Sequence, residues 1–250
     1  MIINGKTLLF HACDKNNLVV IQLLLSNTAT DVNKATMDEY GDTPLCIACV
    51  RGHEKVVRLL LAHDKINVNQ AETRYGSTPL FVACHEGHEG VVQLLLAHAE
   101  TEVNQATTNN GQTPLFIACK EGNEGVVRML LDHAATKVNQ ATTDNGSTPL
   151  YIACQEGHEG VVRLLLAHTA TNVNQVSTDE YGFTPLLIAC EKCDKEVVRL
   201  LLAHTATNVN QVSTDEYGFT PLLIACEKCD KEVVRLLLAH TATNVNQVST

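Results

Sequence analysis

Tryptophan is absent from this 250-residue sequence, and only five Tyr and five Phe are present. The interior must be built from aliphatic side chains. Any aromatic on a turn is then a candidate contact residue, because Tyr, Trp and Arg concentrate binding energy in protein interfaces. Basic runs are missing as well: 18 Lys and Arg stand singly against 28 Asp and Glu, a formal net charge of −10. That balance argues against a phosphate-binding surface, so nucleic acid is not expected as a partner. No run of about eighteen apolar residues occurs, and the first residues lack a basic stretch followed by a long apolar one. Neither membrane insertion nor a secretion signal is expected. The GxxxxGK phosphate loop, the GxSxG elbow and the HExxH helix are all missing. The expectation is a chain without catalytic residues, metal or cofactor.

What is present is a period. Thr-Pro-Leu begins at Thr43, Thr78, Thr113, Thr148, Thr184 and Thr220, at spacings of 35, 35, 35, 36 and 36. A degenerate copy starts at Thr7, and residues 161–214 are identical to residues 197–250. Fixed self-similarity of this length marks a stacked-repeat architecture. Within the unit from Thr148 to Ala167, Thr148 suits a helix cap and Pro149 a first turn. Leu150, Ile152, Ala153 and Cys154 form an apolar face, and Gly157 supplies the positive φ that ends the helix. Val161, Val162, Leu164, Leu165 and Leu166 make a second helix too apolar to stand alone. The following segment through Thr171–Gln175 reads as extended, with a turn near Gly182. Such a unit cannot bury both faces, so neighbours must stack.

The string TPLFIACKEGNEGVVRMLL from Thr113 to Leu131, followed by Val138 and Asn139, resembles the ankyrin repeat family. The resemblance covers essentially the whole chain. It implies an all-α solenoid of about seven repeats, each a helix-turn-helix pair with a β-hairpin or extended loop. The chain is expected to form a single solenoid over 1–250, with repeats near 4–36, 40–71, 75–106, 110–141, 145–176, 181–212 and 217–248. Departures from the family pattern carry consequences. The period exceeds the family's, predicting longer hairpin tips. The family's His after Thr-Pro-Leu is replaced by Cys46, Phe81, Phe116, Tyr151, Leu187 and Leu223, so apolar packing must substitute for its hydrogen bond. Cys193 and Cys229 stand where Gly157 sits in the neighbouring unit, at a cost of about 1 kcal/mol each.

Seven of the ten cysteines form one column: Cys13, Cys49, Cys84, Cys119, Cys154, Cys190 and Cys226. Stacked helices about 8–10 Å apart are too distant for disulfides, which need Cα atoms within about 7 Å. Buried, reduced thiols in the cytoplasm or nucleus are the expected state. The CxxC pairs Cys46/Cys49, Cys190/Cys193 and Cys226/Cys229 lie one or more repeats apart and would need a distorted stack to share zinc. A second column, His63, His98, His133, His168, His204 and His240, closes the second helices. It reads as complementing the negative helix end, with an acid-sensitive stack as the sharper alternative.

The expected function is non-enzymatic binding of another protein on the concave face that the family forms from hairpin tips and first helices. Tyr40, Tyr75, Tyr181 and Tyr217 precede the hairpin Gly; each is either a contact or a cover for its own turn. Asp42, Ser77, Gln112, Ser147, Phe183 and Phe219 follow that Gly, and His85, Glu86, Lys120 and Gln155 follow the column Cys. These complete the candidate binding set, with Phe183 and Phe219 expected to be exposed. Arg58, Arg128, Arg163, Arg199 and Arg235 read as solvated surface. The hairpin Asn residues, Asn33, Asn69, Asn104, Asn139, Asn174, Asn210 and Asn246, either bond local backbone or, as the resemblance implies, meet an asparaginyl hydroxylase. The duplicated final unit suggests a truncated array or end-to-end self-stacking at an uncapped C-terminus. A structural spacer and a substrate-recruiting arm of a larger protein are the alternative functions.

Overall fold

The computed structural model describes residues 2–3, 5–228 and 230–246. Cys229, one of the two cysteines expected at a helix-ending Gly position, lies outside them. The described residues contain seven helix pairs. These are α1 (Leu8–Asp14) with α2 (Leu18–Leu25), α3 (Pro44–Val50) with α4 (Glu54–Leu61), and α5 (Pro79–His85) with α6 (Glu89–Leu96). Then come α7 (Pro114–Lys120) with α8 (Glu124–Asp132), α9 (Pro149–Glu156) with α10 (Glu159–Ala167), α11 (Pro185–Glu191) with α12 (Lys195–Ala203), and α13 (Pro221–Glu227) with α14 (Lys231–Ala239). Strand is confined, among the described residues, to the antiparallel pair β1 (Ile2–Ile3) and β2 (Lys6–Thr7). The hairpins are therefore turns closed by single backbone bonds, such as Ser177 N–H to the Phe183 carbonyl at 2.9 Å.

The Thr-Pro start explains each first helix. Thr43 Oγ1 accepts from the Cys46 N–H at 3.0 Å, and the same cap recurs at Thr7, Thr78, Thr113, Thr148, Thr184 and Thr220. Proline follows at the first helical position, where no donor is needed, in every copy except that of Thr7, where Leu8 stands. Gly157 ends α9 at φ 73°, and Cys193 takes the same left-handed conformation after α11 at φ 57°. A side chain with a Cβ is thus held where Gly is the unstrained choice.

Two compact units emerge, one of residues 1–118 and 132–136, the other of residues 119–131 and 137–250. In the first, α1, α3 and α5 stack in sequence, as do α2, α4 and α6. In the second, α9, α11 and α13 form one row and α10, α12 and α14 another. The core of each is aliphatic: Leu45, Val57, Leu60, Val92 and Leu95 in the first, Leu150, Val162, Leu165, Val198 and Leu201 in the second. The column cysteines Cys13, Cys49, Cys84, Cys119, Cys154 and Cys190 are buried and outside any disulfide. Cys226 departs from that pattern and is exposed. The helix pair α13–α14 repeats the sequence of α11–α12, yet Leu186 and Leu187 are fully buried whereas Leu222 and Leu223 are only half-buried. The difference is coverage: α11 is packed between the first helices α9 and α13, while α13 meets a first helix, α11, on one side.

Neighbouring repeats are tied by residues the periodic reading did not single out. His88 Nε2 lies 3.1 Å from the Val50 carbonyl oxygen, and His158 Nε2 lies 2.9 Å from that of Lys120. His53 makes a longer version of the contact with Asp14. Each imidazole thereby engages the carboxyl end of the preceding first helix, whose last carbonyls lack intrahelical donors. The ring packs so closely on the preceding loop that a Cβ at Gly52 or Gly122 would lie within 3.0 Å of it. In the two duplicated units Asp194 and Asp230 replace this His. They cap α12 and α14 instead, each accepting two backbone N–H bonds.

Candidate functional site

The hairpin Asn residues set the spacing of the tips. Asn69 Nδ2 donates to the Glu100 carbonyl at 2.6 Å while its Oδ1 accepts from the Glu102 N–H at 2.9 Å. Asn33, Asn139, Asn174 and Asn210 repeat both bonds one unit further on, and Asn104 donates to Ala135. The amide works as an inserted peptide group, donor and acceptor both used. Above this ladder the turns are joined by one backbone bond per step: Thr73 N–H to Tyr40 O at 2.8 Å, Thr108 to Tyr75 at 2.8 Å, Thr178 to Asn145 at 2.7 Å and Thr214 to Tyr181 at 3.2 Å. Every tip therefore presents its aromatic or Asn residue in the same register within its own unit.

Asx-type turns shape the tips. Asp179 Oδ1 accepts from the N–H groups of Tyr181 and Gly182, and from Ser177 Oγ. Asp38 does the same with Tyr40, Gly41 and Thr36. The Thr36 hydroxyl foremost, with those two N–H groups, holds the Asp38 carboxyl below the ordinary carboxylate range. Gly41 closes the turn at φ 63°, and a Cβ there would strike the Thr73 side chain of the next tip.

The tip tyrosines Tyr40, Tyr75, Tyr181 and Tyr217 are 42–58% exposed. They do not stand alone. Arg74 lies between Tyr40 and Tyr75, its guanidinium 5.0 Å from each ring centroid, and its Nη1 is 3.1 Å from Glu39 Oε1. Tyr181 and Tyr217 each pack on the Phe two residues later, with ring centroids 5.5 Å apart. Tyr181 also donates to the Glu180 carboxylate, which raises its phenol above the ordinary value.

The expected exposure of Phe183 is corrected. It is 8% exposed, and Phe219 is half-buried. The ring is roofed by Tyr181 and its backbone is tied to Ser177. Ser77 and Ser147 are likewise buried, because each N–H closes its own turn onto Glu72 or onto Thr142 and Asn145. Asp42 and Gln112 are half-buried, Gln155 is half-buried, and His85, Glu86 and Lys120 are exposed. His85 Nδ1 and Glu86 Oε1 lie 2.9 Å apart. Burial, and secondly the charge of Glu72, pushes the Asp42 carboxyl above its ordinary range.

In the second unit a groove of about 430 Å³ opens beside the tips. Tyr151, Phe183, Ile188, Phe219 and Ile224 give it an apolar floor, and Glu191, Lys192, Glu227 and Lys228 give it a charged rim. Lys228 Nζ and Glu191 Oε1 bridge that rim at 2.6 Å. Burial, followed by the Asp179 charge, pushes the Tyr151 phenol up to about 12, so it enters the groove as a neutral hydroxyl.

Imidazole Nδ1 atoms of His63, His133, His168, His204 and His240 accept from the backbone N–H two residues later, at 3.2–3.4 Å. That bond requires an unprotonated Nδ1. Burial pushes the Cys13 and Cys46 thiols up to about 12. Among the described residues no three His, Cys, Asp or Glu side chains converge as metal ligands, and no helix is long and apolar enough to cross a membrane. The Arg column is exposed, and Arg199 and Arg235 pair with Glu196 and Glu232 on their own helices.

Known proteins match at three levels. The family model for three ankyrin repeats fits residues 2–72, 66–142, 99–177, 136–213 and 171–249. Ankyrin repeat domain-containing protein 49 of Bos taurus is 50% identical over 56 residues, covering 22% of this chain and 23% of that protein. The chain thus spans about a quarter of that relative's length. The crystal structure of the ankyrin repeat domain of Bcl-3, a member of the IkappaB protein family, matches 95% of this chain and 100% of its own with a TM-score of 0.80. At 23% identity that is a likeness of fold. Because the family matches overlap from residue 2 to residue 249, the chain belongs to the ankyrin repeat family.

Proposed function

We propose that this chain binds another protein, without chemistry of its own, through the face made by its hairpin tips and first helices. Ankyrin repeats are generally protein–protein interaction modules. The observation that carries the choice of face is the segregation of aromatics. Tyr40, Tyr75, Tyr181 and Tyr217 are exposed and all sit on tips, whereas Phe10, Phe81, Phe116, Tyr151 and Phe183 are buried. Exposed Tyr beside an apolar groove is the composition expected at the centre of an interface. Asp42, His85, Glu86 and Gln112 in the first unit, and Lys120 and Gln155 in the second, then act as polar contacts, each within its own unit. Phe219 is the apolar anchor in the groove, and the buried thiols suit a reducing compartment.

The test is affinity capture with the chain and with a variant carrying Tyr40→Ala, Tyr75→Ala, Tyr181→Ala, Tyr217→Ala and Phe219→Ala, both with matching circular dichroism. A protein held by the first and lost by the second supports the face. Proteins retained equally by both would remove these residues from the interface. The identity of residues 161–214 with 197–250 favours a second reading, a structural spacer, since duplicated units carry the same surface.

A further inference from the structure

We infer that the last two hairpin tips hold an arginine side chain supplied by the protein partner. The inference rests on the binding face proposed above and names the chemistry of its occupant. Its basis is a comparison of the chain with itself.

In the first unit, two tip tyrosines one repeat apart enclose a guanidinium. Tyr40 and Tyr75 flank Arg74, and Glu39, the residue before Tyr40, supplies its carboxylate. The backbone bond from Thr73 to Tyr40 fixes the step between these tips. In the second unit the same frame recurs. Tyr181 and Tyr217 stand one repeat apart, the Thr214 N–H bonds the Tyr181 carbonyl, and Glu180 precedes Tyr181 as Glu39 precedes Tyr40. The second tip is one residue longer, with Asp215 inserted between Thr214 and Glu216.

The difference is the cation. Glu216 occupies the position before Tyr217 that Arg74 occupies before Tyr75. Among the described residues no cationic side chain lies over the Tyr181 or Tyr217 ring. Two exposed tyrosines and two exposed carboxylates, Glu180 and Glu216, therefore lie on adjacent tips that correspond to the pair holding Arg74 in the first unit. Nearby, Asp215 keeps one oxygen, Oδ2, shielded from solvent without a hydrogen-bond donor. The charge around the tips and groove favours a cation further. Asp179, Glu191 and Glu227 line the groove with Lys192 and Lys228, the latter paired with Glu191, and Glu180, Asp215 and Glu216 add carboxylates on the tips.

Guanidinium is favoured over ammonium because its planar face stacks on rings while its edge donates to carboxylates. The groove beside the tips, floored by Ile188, Phe219 and Ile224, has room for an apolar neighbour of that arginine. The occupant is thus a segment in which Arg stands next to an aliphatic or aromatic residue.

The experiment pans a random twelve-residue peptide library on the full 250-residue chain and titrates the enriched peptides in solution. Enriched peptides are expected to share an Arg beside an apolar residue. Replacing that Arg by citrulline or by Lys is expected to weaken binding about tenfold or more, a loss of roughly 1.4 kcal/mol. In the chain, Glu216→Arg supplies the cation internally and is expected to abolish binding, with an unchanged thermal melt. Glu180→Gln is expected to weaken it several-fold. Arg peptides that bind Glu216→Arg as well as the unaltered chain overturn the inference, as does equal binding of the Lys peptides. Enriched peptides without Arg that are lost on Phe219→Ala overturn it while leaving the binding face intact. A library that yields no binder overturns both.

Discussion

The side-chain amide of Asn174 donates to the carbonyl oxygen of Ala206 at 2.7 Å, one repeat further along the chain. The same amide accepts from Asn208. Asn174→Ala removes both bonds and leaves two backbone groups to water, at an expected cost of about 1 kcal/mol. Asn174→Asp keeps the acceptor and loses the donor, setting a carboxylate against a carbonyl. It is expected to be at least as damaging as Ala, read as a lowered urea midpoint.

Cys193 holds φ 57° after α11, where Gly157 serves after α9. Cys193→Gly is expected to stabilise the second unit by up to about 1 kcal/mol, since it removes left-handed strain. The gain is trimmed by the greater freedom of Gly in the unfolded chain. The converse change, Gly157→Ala, is expected to destabilise, because the new Cβ would also meet the Asp194 carboxylate at 2.8 Å. Paired urea titrations at one pH decide both.

Two carboxylates of the first hairpin should respond to pH with opposite signs. Asp38 is held below its ordinary range, first by the Thr36 hydroxyl. It contributes stability that is present above the unfolded value of about 3.9 and disappears as pH falls through its lower folded value. Asp42 is pushed up by burial, so its ionisation at neutral pH opposes folding. Asp38→Asn is therefore expected to lower the urea midpoint at pH 7, with the loss shrinking as pH falls through the lowered folded range of Asp38. Asp42→Asn is expected to raise it at pH 7, with the gain shrinking as pH falls and the native Asp42 takes up its proton.

The cysteine column should divide by position and not by sequence. Cys190 and Cys226 lie in identical segments, but the first is buried and the second exposed. Brief alkylation of the native chain is expected to modify Cys226 on the order of tenfold or more faster than Cys190. Equal rates, read by peptide mass mapping, would mean that α11 and α13 are equally covered.

The repeat, the Thr-Pro caps and the Cys column were legible because each recurs at one offset and depends on local geometry. Thr148 caps the Tyr151 N–H wherever its unit stands. Contacts between units were not legible in that way. Arg74 adjoins Tyr75 in sequence, but its place beside Tyr40 follows only from how the tips stack. Phe183 reads as an exposed turn residue until its neighbours cover it. The His88 and His158 ties are hidden in the sequence because the same position holds Asn123, Asp194 and Asp230 elsewhere, which breaks the column. Their signal was the Gly at Gly52 and Gly122, a small residue where the His88 or His158 ring from the next repeat must fit.

Identical helix pairs with unequal coverage also make stability a matter of address. The α13–α14 pair has the amino acids of α11–α12 but less buried surface, so it should open more often than α11–α12, visible as faster amide hydrogen exchange. The Tyr181–Tyr217 site straddles the boundary between that loose pair and the firmer one. An occupant gripping both tyrosines would act as a staple, and part of its affinity would appear as slowed opening of α13–α14.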